Sequence, residues 1–176
     1  MNRKVSIAPM MDCTDRHDRY FLRLISKNTM LYTEMIVANA IIRGDKNFLL
    51  NFNNLEKPLA LQIGGSNPKE LSECVKIAED FGYDEINLNL GCPSKKVQKN
   101  KFGACLMKEP SLVGDCVSEM KNACGLPITI KTRIGYDDIE DYEYLKKFIS
   151  VINKAGSNTF IIHARRAILN KLTPKQ

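Results

Sequence analysis

Glu85-Ile-Asn-Leu-Asn-Leu-Gly-Cys-Pro-Ser94 is the stretch on which the reading of this chain turns. Ile86, Leu88 and Leu90 alternate with Asn87 and Asn89, the period of two expected of a strand. Gly91, Cys92, Pro93 and Ser94 then stop the run, so the strand feeds a loop. A cysteine just past a strand tip, with an amide side chain three positions earlier, stands where parallel α/β proteins keep their chemistry.

Outward from that strand the pattern repeats. Apolar, β-rich runs occupy residues 5–10, 31–36, 59–64, 85–90, 128–133 and 159–163. Helix-like segments with apolar residues three or four apart fall at 19–25, 68–81, 111–121 and 142–154. Asn67 before Pro68, and Pro110-Ser111 before Leu112, read as helix starts, while Gly82 and Gly156 read as helix ends. The strand starts lie 26, 28, 26, 43 and 31 residues apart, a repeating βα unit with parallel strands and crossover helices. The one long interval holds a loop over residues 91–108, of a length that usually serves function.

The fold predicted is a TIM-type (β/α)8 barrel truncated after about six βα units. A closed barrel takes about 250 residues, and residues 1–176 are expected to be its N-terminal portion, without the last two strands. An open doubly wound sheet also fits the strand count. It is disfavoured because no Gly-x-Gly-x-x-Gly follows the first strand and polar residues end nearly every strand.

Composition narrows the class. The chain is 44% hydrophobic, enough for a buried core, and has no run of 18 apolar residues and no apolar segment behind its basic start. Neither a membrane span nor a secretory signal is predicted, and a cytoplasmic location follows. The six cysteines, with no C-x-x-C, are read as reduced thiols. With only His17 and His163 to help them, no metal site is expected. The formal charge of +6 is unevenly spread: residues 91–108 hold five lysines and no acid, and residues 163–176 hold Arg165, Arg166, Lys171 and Lys175, again with no acid. One such run is ordinarily a solvated face. Two of them, each following a predicted strand, point to phosphate contact.

Each predicted strand ends in groups that chemistry can use: Ala8-Pro-Met-Met-Asp12, Thr33-Glu34, Gln62-Ile-Gly-Gly65, Asn87 and Asn89 with Cys92, Lys131-Thr-Arg133 and His163-Ala-Arg-Arg166. Alone, Gln62 or Lys131 is an ordinary strand end, Met10 and Met11 are core filler and His163 a satisfied histidine. Together at successive strand ends they converge in a barrel. Lys131 and His163 suit an anionic or electron-rich ring, Gln62 an imide edge, and Gly64 and Gly65 the close approach of a flat ligand. Cys92 has no histidine or other base beside it, which argues against a nucleophile and for a thiol that donates a proton. A proton donor, a ring site and a basic rim suggest reduction of a base in a nucleic acid.

These motifs, with Leu31-Tyr-Thr-Glu-Met35, Phe102-Gly-Ala-Cys-Leu-Met107, Lys131-Thr-Arg-Ile-Gly135 and Ile162-His-Ala-Arg165, resemble the tRNA-dihydrouridine synthases along the whole chain. They follow most closely the A-type branch, which reduces uridines 20 and 20a of the tRNA D-loop. The resemblance implies FMN as cofactor and NADPH as its reductant. It makes Cys92 the catalytic acid, delivering a proton to C5 of uracil while hydride reaches C6 from the flavin N5. It assigns Pro9, Met10, Met11, Gln62, Lys131 and His163 to FMN, and Asn89, Arg133 and Lys175 to tRNA. Cys105, in the same loop, is a competitor for that role, but the family pattern assigns the cysteine of Cys92-Pro-Ser94, so Cys105 is read as packing, and the chemistry has no need of Cys13.

Members of that family continue through a seventh and an eighth strand and then a helical tRNA-binding domain. Barrel phosphate sites commonly follow strands seven and eight. This chain is therefore expected to keep the ring half of the cofactor pocket and lack the phosphate half, with weak FMN affinity and little or no turnover. Two other readings stay open: a flavin barrel that reduces a free pyrimidine, and a non-catalytic RNA-binding fragment.

Overall fold

The computed structural model describes residues 4–169. Among the described residues six strands form one parallel sheet: β1 (Leu31–Tyr32), β2 (Ile36–Val37), β3 (Leu59–Gly64), β4 (Glu85–Leu90), β5 (Ile128–Arg133) and β6 (Phe160–His163). The last four coincide with their predicted ranges to within a residue. The expected strand over 31–36 is broken in two, since β1 and β2 both pair with β3. Thr33 causes the break: its hydroxyl donates to Glu34 O at 2.8 Å and accepts from Gln62 N at 3.0 Å, replacing a ladder bond.

The first expected strand shrinks to a parallel bridge between Ser6 and Met30, backed by Ile7 N to Met30 O at 2.9 Å. Pro9 has no N–H to continue a ladder. Beyond it the chain curls so that Cys13 N and Thr14 N both donate to Met10 O, with Asp12 at φ 62. The spatial order, from the Ser6 segment through β1–β2, β3, β4 and β5 to β6, is the arc of a TIM-type barrel.

Seven helices connect or flank the strands among the described residues: α1 (Arg16–Ile25), α2 (Ala38–Arg43), α3 (Lys46–Leu50), α4 (Pro68–Asp80), α5 (Lys95–Lys99), α6 (Pro110–Ala123) and α7 (Tyr142–Lys154). The side chains of Asp15, Asn67 and Asp141 each accept two backbone N–H groups at the starts of α1, α4 and α7. Gly82 and Gly156, at φ 84 and 110, end α4 and α7 in the left-handed conformation. Helices α2, α3 and α5, of five or six residues, show no periodicity in the sequence because they are too short to carry one.

The two faces of the sheet differ in chemistry. Leu59, Leu61, Ile63, Ile86, Leu88, Leu90, Ile128 and Ile130 face outward into one core with Leu71, Val75, Val113, Val117, Met120, Phe148 and Ile152 of the helices. Each such side chain, fully buried, contributes about 1.5–3 kcal/mol. The alternate residues face inward: Ala60 and Gln62, Glu85, Asn87 and Asn89, then Thr129 and Lys131. Ala60 meets Met30 and Tyr32 in a small apolar plug at the bottom of the arc, and the layers above it are polar. Among the described residues no buried side-chain nitrogen or oxygen lacks a hydrogen-bond partner, which makes a polar interior tolerable.

The segment 91–108, expected as a loop, is packed structure. It holds α5 and a 3-10 turn over Gly103–Lys108; it buries Val97, Phe102, Leu106 and Met107 in the core that the sheet shares with its helices, and Ala104 against Ala167 and Leu169.

Candidate active site

β4 ends at Leu90, and the next turn carries Cys92 half-buried. Three elements grip that turn. Asn89 Oδ1 accepts from Gly91 N at 3.1 Å and Cys92 N at 3.0 Å. Arg133 Nε, from the end of β5, donates to Gly91 O at 2.7 Å. Ala104 N, from the 3-10 turn, donates to Cys92 O at 2.9 Å. Gly103 makes the last contact possible: it sits at φ 72, and a Cβ there would stand 2.7 Å from Cys92 O and 2.5 Å from Val97 Cγ1.

The turn opens on a cavity of ≈ 990 Å³ at the C-terminal ends of the strands, and nearly every residue singled out in the sequence lines it. Pro9, Met10 and Met11 form one wall from the curled N-terminal segment; Gln62, Asn89 and Cys92 lie on β3, β4 and the following turn; Lys131, Arg133 and His163 come from β5 and β6. Met10 and Met11 are more than half exposed and so are a cavity wall and not core filler. Lys175 lies outside the described residues. Two smaller concavities, ≈ 330 Å³ beside Tyr20 and Phe52 and ≈ 480 Å³ beside Glu34 and Phe48, contain neither Cys92 nor Lys131.

The electrostatics favour an electron-rich occupant. Lys131 is half-buried, and no carboxylate among the described residues pairs with it. Burial, then the neighbouring Arg133, holds its ammonium below the ordinary lysine value. Burial also lowers His163, helped by Arg133 and Lys131. Arg133 spends Nε on Gly91 O and Nη1 on Arg166 O at 3.3 Å, so the expected tRNA contact is also a brace for the loops beside it. Lys95, Lys96, Lys99 and Lys101 are exposed on and after α5, a basic rim next to the cavity that Lys96 joins.

Cys92 stands apart from the other thiols. All six are free; Cys74 and Cys116 are buried and pushed up to about 12, chiefly by burial. Cys105 donates to Phe102 O at 3.1 Å, packs beside Ala104 and Ala167, and does not reach the cavity. Among the described residues no group of His, Cys, Asp and Glu is arranged to hold a metal ion. Nor is any helix there long and apolar enough to cross a membrane.

Some of the site was not visible in the sequence. Phe102 lines the cavity and packs over Gly64, where a Cβ would come within 2.8 Å of its ring, so protein packing as well as ligand access demands that glycine. Asn87, read as a strand-end group, does not line the cavity; it sits beside Gln62 in the sheet and accepts from its Nε2 at 2.8 Å. The period-two pattern reveals which face Asn87 takes, but no local signal tells which layer it reaches.

A parallel strand-and-helix arc whose strand ends deliver polar side chains to one mouth defines an α/β-barrel protein of the TIM type. The sequence places it within that class: residues 6–176 match the family model described as dihydrouridine synthase, and the chain belongs to that family. It is 56% identical over 174 residues to a tRNA-dihydrouridine(20/20a) synthase of Vibrio parahaemolyticus, covering 98% of this chain and 53% of that protein. It is 55% identical over 172 residues to the protein of the same name from Synechocystis sp., covering 98% and 52%. For the Escherichia coli K12 protein of that name the identity is 54% over 174 residues, covering 98% and 50%. The chain spans about half the length of the curated relatives it matches.

Proposed function

We propose that this chain carries the ring-facing part of the active site of a tRNA-dihydrouridine synthase acting on uridine 20 or 20a of the D-loop. One observation carries the reading: Cys92 shares a cavity with Lys131 and His163, on the same rim of the sheet.

The residues fit FMN. The cavity lies at the upper end of the range for sites that enclose a small molecule. Gly64 and Gly65 line it without side chains, Met10 and Met11 offer a soft apolar wall, and Lys131 is a half-buried cation that no carboxylate among the described residues pairs with. In this reading Pro9, Met10 and Met11 lie against the flavin, Gln62 meets its pyrimidine edge, and Lys131 and His163 hold its electron-rich side. FMN held by these residues and reduced by NADPH would supply the hydride for C6 of the uracil.

The remaining work falls to the chain's own groups. Cys92 Sγ gives its proton to C5, and Asn89 orients both the Cys92 turn and the uridine. Arg133, Lys175 and the rim lysines hold phosphates while the base leaves its stack, a step that costs a few kcal/mol and needs the flanking backbone fixed. A cytoplasmic location accompanies a tRNA substrate.

The test is to incubate the protein with FMN, NADPH and unmodified tRNA and measure dihydrouridine by mass spectrometry, with Cys92→Ala alongside. At FMN in excess, a low yield of product from the unaltered chain and none from the variant, at equal flavin absorbance and equal tRNA retention, is the expected result, the low yield following from the weak FMN affinity expected of this chain. A fully active Cys92→Ala removes the acid role. Consumption of NADPH with free uracil but not with tRNA favours a reductase of free pyrimidines, and a protein that retains tRNA but never takes up flavin favours a binding fragment.

A further inference from the structure

Beneath the cavity floor a row of side chains is hydrogen-bonded end to end across three strands. Asn89 Oδ1 accepts from the N–H groups of Gly91 and Cys92. Asn89 Nδ2 donates to Gln62 Oε1 at 2.9 Å, and Gln62 Nε2 donates to Asn87 Oδ1 at 2.8 Å. Asn87 Nδ2 then donates to Thr129 Oγ1 at 2.9 Å, and that hydroxyl donates to Glu85 Oε1 at 2.5 Å. The sheet register builds the row, because Gln62, Asn87 and Thr129 are direct neighbours across β3, β4 and β5. All five side chains are at least nine-tenths buried.

The row has one direction. At its upper end two backbone N–H groups require an acceptor, so Asn89 must present its carbonyl oxygen upward and its NH2 to Gln62. At its lower end the Thr129 hydroxyl accepts from Asn87 and gives its single proton to Glu85 Oε1, a much nearer acceptor than Ile86 O at 3.4 Å, while Tyr32 OH also donates to that carboxyl oxygen at 3.4 Å. Every amide between is therefore oriented from both sides, and no member can turn over without leaving a buried donor facing a donor. Asn87, Thr129 and Glu85 do not line the cavity, yet they settle which atoms Gln62 and Asn89 offer to it.

We infer that Asn87, Thr129 and Glu85 are positioning residues for Cys92, acting through Gln62 and Asn89 to hold the turn that carries the thiol. The inference rests on the reading of Cys92 as the proton donor, but its test does not use activity. A failed exchange experiment therefore leaves the acid role standing, and an active Cys92→Ala leaves the exchange result standing.

Hydrogen exchange followed by NMR provides that test. In the unaltered protein the N–H groups of Gly91 and Cys92 exchange slowly, although their residues are partly exposed; rapid exchange there overturns the inference at once. Thr129→Val keeps the shape and removes the hydroxyl, leaving Asn87 without its acceptor. Exchange at Gly91 and Cys92 then rises about tenfold, the effect of losing one hydrogen bond's share of local opening free energy, while Ile86, Leu88 and Ile130 keep their protection. Alkylation of Cys92 by iodoacetamide quickens relative to the exposed Cys13 in the same molecule, and Thr129→Ser restores both readouts. Equal loss of protection along β4 and β5, or no change at Gly91 and Cys92, overturns the inference. Should the valine variant not fold, Asn87→Leu fills similar space without an acceptor for Gln62 and carries the same comparison.

Discussion

Arg133 Nε stands 2.7 Å from the carbonyl oxygen of Gly91, so a cation at the tip of β5 holds the residue before Cys92 at the tip of β4. The same guanidinium reaches Arg166 O, and it therefore ties together the two loops that follow β4 and β6. A group that the family resemblance assigns to tRNA is also part of the frame.

Arg133→Lys should separate those two duties, because an ammonium cannot serve two carbonyls through a planar fork. The expected loss in urea denaturation is about 1 kcal/mol, the net worth of one such hydrogen bond. Alkylation of Cys92 accelerates as the turn loosens. An unchanged alkylation rate would mean that Asn89 and Ala104 suffice to hold it.

Lys131→Met is expected to stabilise the protein at pH 7 while weakening flavin uptake, since a half-buried ammonium without a carboxylate is kept at a cost to the fold. Thermal unfolding should shift upward by about 1–3 °C. Burial lowers the folded-state value below 10.5, so the unfolded chain binds the proton more readily. The unaltered protein thus gains stability as pH rises from that lowered value toward 10.5, and the advantage of the methionine variant fades over the same window. A variant advantage that stays constant up to pH 10.5 would contradict this origin.

Gly103→Ala should damage the site more than the addition of a single methyl group suggests, because Gly103 is buried. The residue is at φ 72, and its Cβ would press on the carbonyl oxygen of Cys92, which is backbone and cannot swing aside. A loss of about 2–4 kcal/mol combines the left-handed conformation with the overlap. Chemical denaturation gives the magnitude, and altered Cys92 reactivity in the folded variant gives the displacement.

Glu56→Ala should be the most destabilising of these changes. Glu56 Oε2 lies 2.7 Å from Arg19 Nε with both side chains buried, Oε1 accepts from Asn53 N, and its carbonyl accepts from Arg23. Removal strands the Arg19 charge between α1 and the entry to β3, at about 3–5 kcal/mol. Because the chain has no tryptophan, circular dichroism is the natural probe of the urea midpoint. A loss under about 1 kcal/mol would show that water reaches Arg19.

The main strands and the four longer helices were legible because each repeats one pattern long enough to register, two residues for β3–β5 and three or four for α1, α4, α6 and α7. Where a side chain replaces a backbone partner the pattern fails. Thr33 splits the second strand, Pro9 stops the first, and the segment after Gly91 folds into short turns held only by contacts such as Phe102 on Gly64. Convergence of Gln62, Cys92, Lys131 and His163 on one cavity could be expected from strand ends alone, since parallel strands in register place their tips on one rim.

By itself the sequence determined the alternation of strands and helices, the rim on which the polar residues gather and the family to which the chain belongs. Those follow from local periodicity and from motifs that are contiguous in the chain. Only the tertiary structure decided that Gln62, Asn87 and Thr129 share a layer, that Arg133 braces Gly91, and that Cys105 faces away from the cavity. Those relations join residues 25 to 42 positions apart, as in Gln62 with Asn87 and Arg133 with Gly91. They are set by strand register and side-chain hydrogen bonding, neither of which leaves a trace in the neighbouring residues.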